Sequence, residues 1–132
     1  MACGLCEGYN DKYRVILEDE YTFVMMTIYP LTDGHLMVLP KRHVTFLSDL
    51  NETEAKSFLS MIDKTSALIT KTYQLKCLTM YNGQLGSELH LHIHVFPANK
   101  NIRSYLKAYD KKIRDKKAAS DDYLTSECDK IR

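Results

Sequence analysis

Residues 90–97 read HLHIHVFP, so His90, His92 and His94, three of the five histidines in the chain, stand at every second position. On an extended strand alternate side chains share a face. That sets the three imidazoles in a row and sends Leu91, Ile93 and Val95 to the opposite, core-facing side. Histidine ionises near neutral pH, and such a row supports two chemistries. Two histidines two residues apart on a strand can ligate zinc, with a third ligand and an open position for water, as in a metallohydrolase. Alternatively, one imidazole attacks an acyl or phosphoryl centre while its neighbours donate hydrogen bonds or protons to the developing charge. Spacing alone leaves both open. A second group lies at the N-terminus, where Cys3 and Cys6 in CGLC have the separation usual for metal ligands; Cys77 and Cys128 show no such pattern.

The bulk composition frames these groups. A chain of 132 residues, 45% hydrophobic and 27% charged, fits one domain with a single core. Eighteen basic residues against seventeen acidic leave a formal charge of +1, so the whole molecule does not present a polyanion-binding surface, and any basic patch is local. The opening MACGLCEGYNDKYR lacks an apolar signal core, and no apolar run approaches bilayer length. The chain reads as soluble and cytoplasmic, with no membrane partner. In that reducing compartment paired thiols suggest metal rather than a disulfide.

The elements that must position the histidines follow from local pattern. KYRVIL (12–17) and YTFVMMTI (21–28) are rich in β-branched and aromatic residues and flank the acidic turn EDE, which reads as a hairpin. YPLTDG then supplies turn residues, and HLMVLP runs as a third strand ended by Pro40. Asn51 and Glu54 have capping-box spacing, and Phe58, Leu59, Ile62, Leu68, Ile69 and Tyr73 recur at helical intervals, predicting one long amphipathic helix over about 51–74. KCLTMYNG and ELHLHIHVFP read as two more strands around NGQLGS. Ile102, Tyr105, Leu106, Tyr109 and Ile113 mark a C-terminal helix with a basic opposite face. The expectation is an α+β fold: an antiparallel sheet of about five strands, one long helix and a C-terminal helix, in a single domain over 1–117, with a polar, loose tail over 118–132.

HLHIHVF resembles the signature of the histidine-triad (HIT) family: His, apolar, His, apolar, His, apolar, apolar. The likeness extends to YPLTDGHLMVLPKRH and to CGLC, and the order of strands, helix and motif is that of the family. It implies a HIT-like fold and a hydrolase or transferase acting on a purine nucleotide conjugate, either a nucleoside phosphoramidate or a dinucleoside polyphosphate. His92 would attack the α-phosphorus to give a nucleotidyl-histidine that water hydrolyses. His94 would contact the α-phosphate oxygens, and Ser87 would bind phosphate or help protonate the leaving group. The base and sugar would meet Leu5, Met25, Thr27 and Ile28, with Asn82 matching the family's asparagine. Cys3, Cys6, His43 and His90 match ligands that in one branch hold a structural zinc, here one per chain, tying down an otherwise floppy N-terminus. His35 is assigned a structural role. The resemblance also implies a homodimer.

The sequence departs from that pattern in places. Thr27 stands where the family usually has an Asp that grips the ribose hydroxyls, and Gly86 where it often has Gln; a single hydroxyl cannot hold a diol bidentately with charge. A catalytically weak nucleotide-binding or protein-interaction module on a HIT scaffold is therefore the alternative function. Residues 100–117 carry eight Lys/Arg against two Asp. One branch of the family acts on adenylated DNA ends, but with nucleic-acid-binding parts that have no counterpart here, so nucleic acid is not an expected partner.

Overall fold

A computed structural model describes residues 3–83, 89–115 and 118–132. A short helix, α1 (Gly4–Gly8), and a 3-10 turn at Lys12–Arg14 lead into β1 (Val15–Glu18), β2 (Thr22–Met26) and β3 (Leu36–Pro40). The long helix α2 (Glu52–Tyr73), β4 (Lys76–Met80), β5 (Ile93–Ala98), α3 (Ile102–Asp115) and α4 (Asp121–Ile131) follow. The strands form one sheet in the order β1-β2-β3-β5-β4, with every neighbouring pair antiparallel. This is the α+β architecture that the sequence predicts. Among the described residues no helix is long and apolar enough to cross a membrane.

Helix α2 starts where its residues dictate. The Asn51 side chain accepts from the Glu54 N–H at 2.8 Å, and the Glu54 carboxylate accepts from the Asn51 N–H at 3.0 Å, satisfying two donors that a helix start leaves unpaired. Its Phe58, Met61 and Ile69 pack on one face of the sheet with Val24, Met26, Leu36, Val38, Leu91, Ile93 and Val95. The other face carries Phe23, Met25, Met37 and Leu39, against Leu5 and Tyr9 from the N-terminal segment. Strands β2 and β3 are buried throughout because both faces are covered.

Three expectations are corrected. The strand at 12–17 begins only at Val15, because Lys12–Arg14 turn so that the Arg14 guanidinium reaches the Met26 carbonyl at 2.9 Å. The motif strand begins at Ile93 rather than near Glu88, leaving His90–His92 ahead of it outside any regular element. Residues 118–132 are not a loose tail: Asp121–Ile131 form α4, with Ser120 accepting from the Tyr123 N–H at 3.1 Å as its cap. Leu124, Cys128 and Ile131, spaced as one helical stripe, enter the core beside α2. The Ala119 N–H donates to the Ile28 carbonyl at 2.8 Å, Tyr123 donates to Asp33, and Tyr73 on α2 donates to Glu127 at 2.9 Å. Burial and then the neighbouring carboxylates raise both tyrosines above the usual phenol range, so both stay donors.

Leu124 is 1% exposed, so Leu124→Ala is expected to cost about 2–5 kcal/mol in urea unfolding. A loose tail would instead leave stability within about 0.5 kcal/mol of the parent.

Candidate active site and metal centre

The register of β3 on β5 brings the cavity-facing histidines together. Met37 pairs with His94, so both project to the face opposite α2, and His35, two residues before Met37, lies on that face as well. His92 precedes β5 and joins them. The result is a cavity of about 230 Å³ on the sheet, lined by His92, His94 and His35 at one end. Leu5, Met25, Thr27 and Ile28, named from the sequence, all line it. Asn82 reaches the same place from beyond β4, its amide 3.4 Å from His94 Nε2. Ser87 lies outside the described residues.

Hydrogen bonds fix the tautomers. His92 Nδ1–H donates to the His90 carbonyl at 2.7 Å, which leaves Nε2 as the basic, nucleophilic nitrogen of a neutral ring. The Leu31 N–H donates to His35 Nδ1 at 3.0 Å, and an amide cannot accept, so neutral His35 carries its proton on Nε2. That nitrogen is 2.8 Å from His94 Nδ1 and donates to it, so His94 in turn carries its proton on Nε2. The Asn82 amide meets His94 Nε2 at 3.4 Å and the Tyr109 hydroxyl at 2.9 Å through its Nδ2. An Nε2–H facing it calls for the flipped amide, which presents the oxygen to both. His94 is thus a hydrogen-bond donor beside His92, their ring centroids 5.0 Å apart.

Electrostatics keep the relay neutral. Burial, then the proximity of His92, pushes His35 down to about 3. Burial, then His35 and His92, takes His94 down to about 2. The arrangement offers one nucleophilic nitrogen, a neighbouring N–H donor for an anionic oxygen, and an apolar floor.

The three histidines do not form a single row. His90 is 1% exposed and turns to Cys3, Cys6 and His43, whose ligand atoms lie with its own within 4.8 Å of one another. Cys6 Sγ is 3.1 Å from His90 Nδ1 and 3.3 Å from His43 Nδ1, and Cys3 Sγ is 3.7 Å from His90 Nδ1. A tetrahedral ion with thiolate and imidazole bonds near 2.3 and 2.05 Å gives edges of roughly 3.3–3.8 Å, which these separations approach. His90 Nε2–H donates to the Pro40 carbonyl at 2.8 Å, an outer contact that aims Nδ1 at the quartet. The four residues therefore fit a metal ion. Among the described residues they are the one grouping of three or more such ligands, and His92 and His94 are not part of it. Cys3 also caps α1, its Sγ accepting from the Cys6 N–H at 3.4 Å.

The sequence reading misses His35, Arg14, Met37 and Tyr109, all of which line the cavity. His35 is not merely structural: it sets the tautomer of His94. Its offsets of two residues from Met37 and four from Leu39 carry the signal, since that parity puts it on their face. Tyr109 belongs to the stripe Ile102, Tyr105, Leu106 and Tyr109, which predicts a helix but not what the helix covers.

Comparison with known proteins agrees with this geometry. Residues 9–101 match the HIT domain family. The nitrilase and fragile histidine triad fusion protein of Caenorhabditis elegans is 28% identical over 86% of this chain and 28% of its own length. AP-4-A phosphorylase of Mycobacterium tuberculosis is 30% identical over 67% of this chain and 48% of its own. The chain thus spans less than half of each of these two relatives. The crystal structure of a Hit-like protein from Bartonella henselae superposes with a TM-score of 0.76 at 19% identity, covering 98% of this chain and 94% of that one, and shares its fold.

Two outcomes check the site. Below about 6.5 the unfolded chain protonates His35 and His94 while the folded chain does not. Stability contributed by the neutral imidazoles is complete above that pH and drains as pH falls toward 3, by about 1.4 kcal/mol per pH unit for each group. His35→Gln is expected to flatten the slope of unfolding free energy against pH; parallel slopes would contradict the assignment. Cys3→Ser is expected to lower bound metal and melting temperature together, and retention of one equivalent of metal would remove Cys3 from the quartet.

Proposed function

The chain belongs to the HIT family, and from that premise we propose that it is a nucleotide-conjugate hydrolase or transferase working through a nucleotidyl-histidine on His92. The substrates are nucleoside phosphoramidates or dinucleoside polyphosphates. The observation that carries this reading is the 2.7 Å bond from His92 Nδ1–H to the His90 carbonyl, which supports Nε2 as the attacking nitrogen. The name of the mycobacterial relative, AP-4-A phosphorylase, supports a polyphosphate substrate.

The steps balance in this way. The Nε2 lone pair of His92 forms a bond to the α-phosphorus as the P–N or P–O bond to the leaving group breaks, and the leaving group takes up a proton from solvent. The imidazolium charge that develops on His92 is shared through Nδ1–H with the His90 carbonyl. His94 Nε2–H exchanges the Asn82 amide for an α-phosphate oxygen when substrate binds. Ser87 is assigned the second phosphate or leaving-group contact. Water then adds to phosphorus and releases a proton to solvent, the bond from phosphorus to His92 Nε2 breaks, and His92 returns to its neutral tautomer. Phosphoryl transfer needs position and charge stabilisation more than covalent help, and two fixed tautomers beside an apolar floor provide these. The nucleoside rests on Leu5, Met25, Thr27 and Ile28, with Asn82 at the phosphate end.

Zinc is the ion assigned to Cys3, Cys6, His43 and His90. When bound it supplies a fixed joint between α1 and the sheet, and its ligands are not the groups that meet the phosphate.

Turnover of adenosine 5′-phosphoramidate and of diadenosine polyphosphates tests the reading. His92→Asn is expected to lower kcat on the order of 10³-fold or more with folding and metal content unchanged. Unchanged turnover in that variant would end the assignment. Chelation is expected to reduce activity only in step with loss of folded protein. An immediate stop in protein that is still folded would favour a metal acting in the chemistry.

A further inference from the structure

Among the described residues lining the cavity, Arg14 is the one with a formal charge, and none is acidic. It stands on the β2 side of the cavity, away from His92 and His94. Its Nη1 donates to the carbonyl of Met26 at 2.9 Å, at the end of β2, while His92 and His94 belong to the β5 segment two strands away. Two strand spacings make that separation roughly 10 Å.

The surroundings of this cation are incomplete. Arg14 is 6% exposed. Its Nη2 meets Asp11 Oδ2 at 3.1 Å, but the Asp11 side chain is 55% exposed. Its Nε–H is buried with no partner among the described residues. A guanidinium cannot shed its charge, and burying one with a half-solvated counter-ion and an orphan donor is costly. Thr27, whose amide follows the carbonyl that Arg14 holds, adds a hydroxyl and no charge, and that hydroxyl already accepts from the Tyr29 N–H at 3.2 Å. Gly8 keeps the corner open, since a Cβ there would lie 3.1 Å from Arg14 Nη2 and 2.8 Å from Met25 Cε. A bare ribose diol is best gripped by an acid, and this corner is cationic. It suits an anion.

We propose that Arg14 makes this cavity selective for nucleotides that carry a second phosphate on the ribose, at the 2′ or 3′ position. The inference rests on the reading of His92 and His94 as the 5′-phosphate end. With the 5′-phosphate there and the base on Leu5, Met25 and Met37, a ribose phosphate directed along the sheet reaches the guanidinium, whose fork matches phosphate oxygens. The substrate class is then a 5′-conjugate of a 2′- or 3′-phosphorylated nucleoside.

Isothermal titration of the full, metal-loaded chain at fixed salt with AMP, GMP, and adenosine 2′,5′- and 3′,5′-bisphosphate tests this. One bisphosphate is expected to bind at least about tenfold more tightly than AMP. Arg14→Gln is expected to erase that preference while changing AMP affinity less than about threefold. Thr27→Asp, which keeps Arg14 and its contacts, is expected to narrow the preference by placing a carboxylate in the corner. AMP binding as tightly as both bisphosphates, a preference that survives in Arg14→Gln, or GMP outranking the bisphosphates would each overturn the inference. In those cases AMP binding still supports the nucleotide site. Binding of none of the four ligands would overturn both readings at once.

Discussion

The short hydrogen bond between His92 Nδ1 and the His90 carbonyl is the constraint on which the site depends. A histidine nucleophile must present one nitrogen, and that bond decides which. The carbonyl is dependable because its residue is held from several sides. His90 Nε2 is bonded to Pro40, its Nδ1 points into the cysteine–histidine quartet, and the next residue, Leu91, donates its N–H to the Val44 carbonyl at 2.7 Å. On the proposed reading the quartet lies next to the chemistry without taking part in it. His90 thus joins the cysteine–histidine quartet through its side chain and orients the proposed nucleophile through its backbone.

The two faces of the sheet divide the work. One is a conventional core on α2, reinforced by α4, and it fixes the register of β5 through Ile93 and Val95. The other buries polar rings, which is tolerable only where each finds a partner. The chain of Leu31 N–H to His35, His35 to His94, and His94 to Asn82 meets that condition, and its last proton is the one a bound phosphate would take over from Asn82. Burial keeps His35 and His94 uncharged, so the cavity stays apolar enough for a base while offering a directed donor.

What the sequence makes legible is what is local. The capping box at Asn51–Glu54 depends on neighbours a few residues apart and reappears in the structure, as does the alternation over 91–95, which sends Leu91, Ile93 and Val95 to the core and His92 and His94 to the cavity, while His90 turns away to the quartet. The quartet is different: Cys6 is 37 residues from His43 and 84 from His90, so it comes from family resemblance and not from spacing. His35 escapes because its partner His94 is 59 residues away and no single strand shows the pairing. Arg14 escapes because a basic residue in KYRVIL reads as solvated strand, whereas a turn folds it inward onto Met26. The last helix was within reach. Its stripe of Leu124, Cys128 and Ile131 behind Ser120 is a helix signal that a polar composition hides.

A covalent nucleotide on His92 is the central claim, and intact mass after a base quench reads it directly. Protein mixed with adenosine 5′-phosphoramidate or a diadenosine polyphosphate should gain the mass of one adenylyl group, stable in base and absent from the His92→Asn chain. A folded, metal-loaded protein that turns substrate over and never carries that mass would contradict the account.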